Sequence, residues 1–193
     1  MQACSIEARD LACRRGDRVL FRGLTLAASA GDVVHVTGLN GTGKSSLLRI
    51  LAGLLPPFSG TVARTGPLGL VDERPALDPA LPLGKALAFW RQVDGGRGTD
   101  ATTLLGLADL LDVPVRYLST GQKKRAALAR LIAQDAAIWL LDEPLNGLDA
   151  RAVPMIVSLV DAHRAAGGIA LIASHQSFDL PGKRMVDLAE FRP

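Results

Sequence analysis

The residues best suited to chemistry lie in the run GLNGTGKSS, from Gly38 to Ser46. Gly38, Gly43, Lys44 and Ser45 fit the spacing G-x-x-x-x-G-K-[ST]. The glycines free the backbone to turn its N–H groups inward around an anion. A helix beginning at the lysine adds the positive end of its dipole. Leu39, Asn40, Gly41, Thr42 and Ser46 complete the loop that would wrap a β-phosphate. Lys44 has the length to reach β- and γ-phosphates, and the Ser45 hydroxyl suits Mg2+. The plainer reading is a glycine-rich turn with a surface lysine. The strand-like DVVHVTG before the motif and the helical KSSLLRILAGLL after it favour phosphate.

A second constellation is AIWLLDEP, Ala137 to Pro144. An apolar strand here ends in two carboxylates. Asp142 at the strand tip would join the magnesium shell. Glu143 would point the other way and polarise a water for phosphoryl transfer. An acidic pair at a strand end is a weak signal alone and a strong one beside a phosphate loop. A third is LSTGQ, Leu118 to Gln122, which opens the helical KKRAALARLIAQ. Ser119 and Gln122 form a capping-box pattern, with Thr120 and Gly121 between them. The same helix start is also an anion site.

Around these motifs the chain reads as one α/β domain. SIEARDLAC and RVLFRGLTLAA are short strands about a turn at Gly16 and Asp17, and the helix after the phosphate loop should stop at Pro56 and Pro57. From about residue 84 to 134 the pattern is helical, in GKALAFWRQV, DATTLLGLADLL and GQKKRAALARLIAQ. This is a helical insertion in an α/β core. The core resumes at AIWLLDE, continues with a helix from about Asp149 to Arg164 and the strand GGIALIASH, and ends in an edge strand RMVDLAEF.

Net charge is +3, from 22 basic and 19 acidic residues, which is too even for nucleic acid as the main partner. Lys123, Lys124 and Arg125 read as a solvated helix face. Cys4 and Cys13 lack metal spacing and read as reduced thiols of a cytosolic protein. The sequence shows no apolar signal region and no run of the roughly 18 apolar residues a membrane span needs. A chain neither secreted nor membrane-spanning is expected, with any membrane role shared with another subunit.

Taken in order, these three motifs resemble the ATP-binding subunits of ABC transporters, over nearly the whole chain. The resemblance implies a P-loop NTPase fold: a single ABC ATPase domain over residues 1–193, with a RecA-like core, an N-terminal antiparallel β subdomain and a helical subdomain at about 84–134. It implies ATP and Mg2+ as ligands. It also implies a head-to-tail homodimer in which Leu118, Ser119, Thr120, Gly121 and Gln122 meet the γ-phosphate held by the other copy. On the same resemblance NGLD is the D-loop, with Asn146 and Asp149 at the dimer contact, and His175 in IASHQ is the histidine that contacts the γ-phosphate. Lys44, Glu143 and His175 are the catalytic set, and Ser45 and Asp142 the metal ligands.

Two positions depart from the family. Arg15 stands where an aromatic residue usually stacks on adenine; a guanidinium can stack on a base too. Phe21, the nearest aromatic, looks misplaced. In DERPALDP the usual glutamine is replaced by Arg74, or else by Glu73. An arginine cannot ligate a cation, so weak or partner-dependent turnover is expected.

Within the family, the phosphate loop, YLSTGQKKRAALARL, LLDEPLNGLD and SHQ are most similar to the ATP-binding subunit of the bacterial haem exporter of cytochrome c maturation. Length without a C-terminal extension and Gln176 after His175 fit that group. The implied setting is peripheral, on the cytoplasmic face of the inner membrane, with a permease subunit and, through it, a haem-handling chaperone. Residues 74–90 would border the groove for a permease helix, where Phe89 and Trp90 either line the groove or pack in the core. The alternatives are another lipid, peptide or drug exporter, a soluble non-transport ABC ATPase, or a coupling subunit that hardly hydrolyses.

Overall fold

The computed structural model describes residues 4–148 and 152–192. Strands β1 (Ser5–Arg15) and β2 (Arg18–Ser29) make one long antiparallel hairpin, and β4 (Ser59–Thr65) pairs with the other side of β1. Between them in sequence come β3 (Val33–Thr37) and helix α1 (Lys44–Leu51). After β4 follow β5 (Leu68–Val71), α2 (Leu83–Val93), α3 (Thr120–Ala133), β6 (Ile138–Asp142), α4 (Ala152–Ala165), β7 (Ile169–Ala173) and β8 (Arg184–Asp187). Among the described residues the second sheet has the order β5-β6-β7-β3-β8, with every neighbouring pair parallel.

β6 and β7 are buried at every position, as strands covered on both faces must be. Their side chains alternate between two cores. Ile138, Leu140, Ile169 and Leu171 pack with α1 and the antiparallel sheet, through Leu47, Leu48, Phe21 and Leu24. Trp139, Leu141, Ala170 and Ile172 face the opposite way, toward α2, α3 and α4, through Ala86, Leu128, Ile156 and Val160. The parallel sheet thus has a helical layer on one side and α1 with the antiparallel sheet on the other. Its strands end together at one edge, where an open α/β sheet presents its loops to a ligand. No helix among the described residues is long and apolar enough to cross a membrane.

Several sequence expectations need correction. The helix after the phosphate loop ends at Leu51, before Pro56. Gly53 at φ +76° terminates it, with Leu54 N–H returning to Arg49 O at 2.8 Å. DATTLLGLADLL forms turns rather than a helix, with one 3₁₀ turn at Ala108–Leu110. There Gly106 at φ +61° closes a single helical turn: Leu107 N–H bonds Thr102 O, and Gly106 N–H bonds Thr103 O. The leucine periodicity was real, since Leu105 and Leu107 are fully buried, but it serves a loop. RMVDLAEF splits into edge strand β8 and a 3₁₀ turn at Leu188–Phe191, capped by the Asp187 carboxylate. The Asp149 start expected for α4 lies outside the described residues.

The basic triplet is not a solvated face. Lys124 is buried at 8% exposure, and Arg125 donates to Leu105 O at 2.8 Å. Cys4 and Cys13 are free and buried.

Candidate functional site

The C-terminal ends of β3, β5, β6 and β7 each deliver part of one site. β3 leads into residues 38–43, and α1 begins at Lys44. The Lys44 side chain is buried, and its ammonium donates to Gly38 O at 2.8 Å and Leu39 O at 3.4 Å. Thr42 Oγ1 donates to Leu39 O at 2.8 Å, which closes the loop on itself. Asn40, Gly41, Gly43, Lys44, Ser45 and Ser46 line a cavity of about 430 Å³. Its other walls are Arg15 and Leu20 from the hairpin, Glu73 after β5, Glu143 and Asn146 after β6, and His175 after β7.

Asp142 closes β6 and is 2% exposed. Burial pushes its carboxyl above the usual range, and the Ser45 hydroxyl works in the other direction. Its Oδ1 is buried without a hydrogen-bond partner. An orphaned carboxylate oxygen beside a serine hydroxyl fits a divalent cation that takes its remaining ligands from water and phosphate. No group of three or more His, Cys, Asp or Glu side chains forms a metal cage among the described residues.

Glu143 turns away from Asp142 through a left-handed backbone, φ +46°. That conformation is strained for a glutamate and persists only where its surroundings hold it. Its Oε2 accepts from Ser174 Oγ at 3.2 Å and from His175 N–H at 3.4 Å, and lies 3.0 Å from His175 Nδ1. Its Oε1 is 3.8 Å from Lys44 Nζ. Lysine, glutamate and histidine therefore form one chain of contacts across three strand ends.

The capping box at Ser119 is present in full. Gln122 N–H donates to Ser119 Oγ at 3.2 Å, and Ser119 N–H to Gln122 Oε1 at 2.8 Å. Leu118 is buried beneath it. Leu118, Ser119, Thr120, Gly121 and Gln122 do not line this chain's own phosphate cavity. A Cβ on Gly121 would sit 2.7 Å from Gly147 O, so only glycine lets α3 approach the loop after β6 so closely. Asn146 in that loop accepts from Gln176 Nε2 at 3.1 Å. Asp149 lies outside the described residues.

The ABC transporter family model matches residues 21–146. The chain belongs to the ABC transporter family. It is 56% identical over 193 residues, all of both chains, to the cytochrome c biogenesis ATP-binding export protein CcmA of Novosphingobium aromaticivorans. The protein of the same name from Zymomonas mobilis is 50% identical over 96% of this chain and 85% of its own. A putative ABC transporter ATP-binding protein from Pyrococcus furiosus superposes with a TM-score of 0.85 at 22% identity, over 98% of this chain and 100% of that one. An ATP-binding cassette solved as a dimer with ADP and Pi gives a TM-score of 0.77 at 21% identity, over 89% of this chain and 88% of that one. The fold is that of an ABC ATPase domain: an α/β core with an antiparallel β-sheet packed beside it.

The two positions that depart from the family pattern take distinct places in the structure. Arg15 does line the phosphate cavity, with Leu20 beside it. Phe21 is fully buried and cannot reach a base. After β5, Glu73 faces the phosphate cavity, whereas Arg74 lines a separate groove of about 360 Å³ with Leu54, Leu70, Leu77, Arg130 and Leu131. A turn explains the swap: the Asp72 carboxylate accepts Arg74 N–H at 2.9 Å and also pairs with Arg49 at 3.1 Å, which directs residues 73 and 74 to opposite sides. The arginine assigned to the cation's side is therefore a groove residue. Neither lines that groove: Phe89 is exposed, and Trp90 is partly buried, packs against the helical-side core and lies under the Arg130 guanidinium, which is 3.5 Å from the indole ring centroid. Leu20 and Ser174 went unread in the sequence. Leu20 carries no chemical signal, whereas a serine directly before a histidine at a strand end is one.

Proposed function

We propose that this chain binds and hydrolyses ATP as the peripheral subunit of an exporter for c-type cytochrome maturation, driving haem export or release of a haem-loaded chaperone. The observation that carries the reading is full-length 56% identity to a cytochrome c biogenesis ATP-binding export protein. The site supports the hydrolytic part. The N–H groups of residues 39–44 and the Lys44 ammonium bind the phosphates, with Lys44 exchanging loop carbonyls for phosphate oxygens. Ser45 and Asp142 would hold Mg2+, which would neutralise charge on the bound phosphates.

Glu143 is the general base. Its backbone and its bonds to Ser174 and His175 aim one carboxylate at the cavity. A water there would give its proton to Glu143 as its oxygen attacks the γ-phosphorus, while the bond from that phosphorus to the β–γ bridging oxygen breaks and ADP leaves. His175 keeps Glu143 in place and contacts the γ-phosphate. Arg15 covers the base side of the cavity. Leu118, Ser119, Thr120, Gly121 and Gln122 act on the nucleotide of a second copy, since they stand outside their own cavity. Asn146 and Asp149 belong to that dimer contact. The groove beside Arg74 receives a helix of the membrane permease, which keeps the chain on the cytoplasmic face of the inner membrane.

Two experiments test this. A tagged chain isolated from detergent-solubilised membranes should bring the cytochrome c maturation permease and its haem chaperone, identified by mass spectrometry. A different permease would overturn the haem assignment, and a protein found alone in the soluble fraction would overturn the transport reading. Glu143→Gln should lower turnover on the order of 10²–10⁴-fold and trap ATP-bound dimers. An unchanged rate would remove Glu143 from the role.

A further inference from the structure

A lysine ammonium taken from water into a protein interior is costly unless something holds it there. Lys124 is such a group, at 8% exposure on the first turns of α3. Its Nζ donates to the backbone carbonyl of Asp142 at 3.2 Å. That carbonyl belongs to the last residue of β6, whose side chain is the orphaned carboxylate of the cation site. The negative charges around Lys124 are Asp142, Glu73, Asp72 and Glu143. Three of these, Asp142, Glu73 and Glu143, belong to the phosphate corner. Lys124 therefore interacts electrostatically with acids of the site without lining the cavity itself.

Its place on the helix gives this contact a consequence. Lys124 follows Thr120 by four residues, so the two lie on one face, one turn apart. The turn above it is the capping box of residues 119–122. A Cβ on Gly121 would clash with Gly147 O, so the same turn packs directly against the loop after β6. Helix α3 is thus tied to the end of β6 by an ion–dipole contact and to the following loop by backbone packing.

We infer that Lys124 is a positioning residue for ATP hydrolysis, which locks the signature turn of α3 to the Asp142 end of β6 so that the two move as one body. This rests on the proposed function, in which residues 118–122 serve the nucleotide of a second copy. Under that arrangement, Lys124 links the cation acid of one site to the γ-phosphate contact of the other. Removing the link leaves each phosphate loop able to bind nucleotide and loosens the geometry that both sites need together. Misplacement of catalytic groups by about an ångström lowers rate by up to about a hundredfold without abolishing binding.

The test is Lys124→Met against Lys124→Arg, in the detergent-solubilised membrane complex. Mg·ATP turnover is measured over a range of ATP concentrations, with melting temperature recorded for each variant. Lys124→Met should lower kcat about tenfold or more, leave KM within about twofold, and flatten the cooperativity of the rate in ATP. Lys124→Arg retains a charged donor and should restore most of kcat and the cooperativity. Wild-type kinetics in Lys124→Met would overturn the inference. So would a loss of kcat that tracks melting temperature equally in both variants, because that marks a purely structural clamp. If Lys124→Met does not fold, Lys124→Gln takes its place: a lowered kcat with flattened cooperativity at an unchanged melting temperature supports the link, and wild-type kinetics, or a kcat loss that only follows melting temperature, overturn it. A wild-type complex without ATP turnover overturns the hydrolytic reading itself and this inference with it, and that outcome is visible before any variant is made.

Discussion

Under the proposed function, the phosphate corner and the first turns of α3 contribute to the same chemistry in opposite ways. In the corner, the residues that matter sit on loops at strand ends, and their backbone does much of the work. Lys44 is spent on loop carbonyls, Asp142 keeps an unpartnered oxygen, and Glu143 is held in a strained backbone by Ser174 and His175. In α3, the residues lie on a regular helix that opens on a complete capping box. Function there depends on what the helix leans against: Gly147 O beneath Gly121, and Asp142 O beneath Lys124. A loop site advertises itself through residue types that its backbone demands. A helix site is visible only once its packing partner is known.

The sharpest way to break that contrast is at residues 73 and 74, neighbours that the Asp72 turn sends to different cavities. Glu73→Ala removes a carboxylate from the phosphate cavity and should lower ATP turnover about tenfold or more. Arg74→Gln alters only the groove, so turnover of the isolated chain should stay within about twofold. If Arg74→Gln changes the rate of the isolated chain as strongly as Glu73→Ala does, the two-cavity division fails. An effect of Arg74→Gln seen only with the membrane partners present would sharpen it.

Legibility followed the same division. The loop from Gly38 to Ser45 was readable as a strand–loop–helix junction because its glycines interrupt two apolar runs of different period, and the structure puts it between β3 and α1. The acids of AIWLLDEP stood out only beside the phosphate loop, and the structure puts Glu143 in the wall of the cavity that this loop lines and Asp142 next to it in the chain. The capping box at Ser119 and Gln122 was readable because its bonds are local. Three features were not. Whether Glu73 or Arg74 faces the cavity depends on one side-chain turn at Asp72, below the resolution of any spacing argument. Lys124 reads as surface in KKR because charge patterning says nothing of what packs above a helix. The leucines of residues 104–111 carry a helical spacing that Gly106 interrupts after one turn.

A smaller effect compares the site with the opposite end of the sheet. His163 on α4 stacks on Trp139, with ring centroids 3.8 Å apart, and its Nε2 lies 3.3 Å from Ile169 O. Burial lowers its pKa, opposed by that carbonyl, by the Ala137 carbonyl and by Asp135. The unfolded chain therefore binds the proton more readily than the folded one. Stability is undiminished above the ordinary histidine range near 6.5 and falls as pH drops through it, by at most about 1.4 kcal/mol per pH unit. His163→Gln should flatten the decline in chemical-denaturation stability between pH 7 and 5.5, measured against wild type over the same range. An identical slope in both would remove His163 as its source.

The smallest expected change, at Ser119, separates the two parts that one hydroxyl plays in these regions. As a cap it satisfies Gln122 N–H, and losing it should destabilise the fold by about 1 kcal/mol, or about 2–4 °C in melting temperature. As part of the turn that meets a second copy's γ-phosphate, the same hydroxyl would also act in turnover. Ser119→Asp retains a capping oxygen and places a negative charge where an anion should dock. If the cap is the whole role, Ser119→Ala loses the melting temperature, Ser119→Asp keeps it, and both retain turnover per folded molecule. If the turn also serves the second nucleotide, Ser119→Asp melts like wild type and still fails to hydrolyse ATP, because its carboxylate repels the γ-phosphate across the dimer. The Lys44 corner of the same chain is untouched by this substitution. Binding of a single Mg·ATP should accordingly match wild type, and a loss of that binding would show that Ser119 acts on its own site after all.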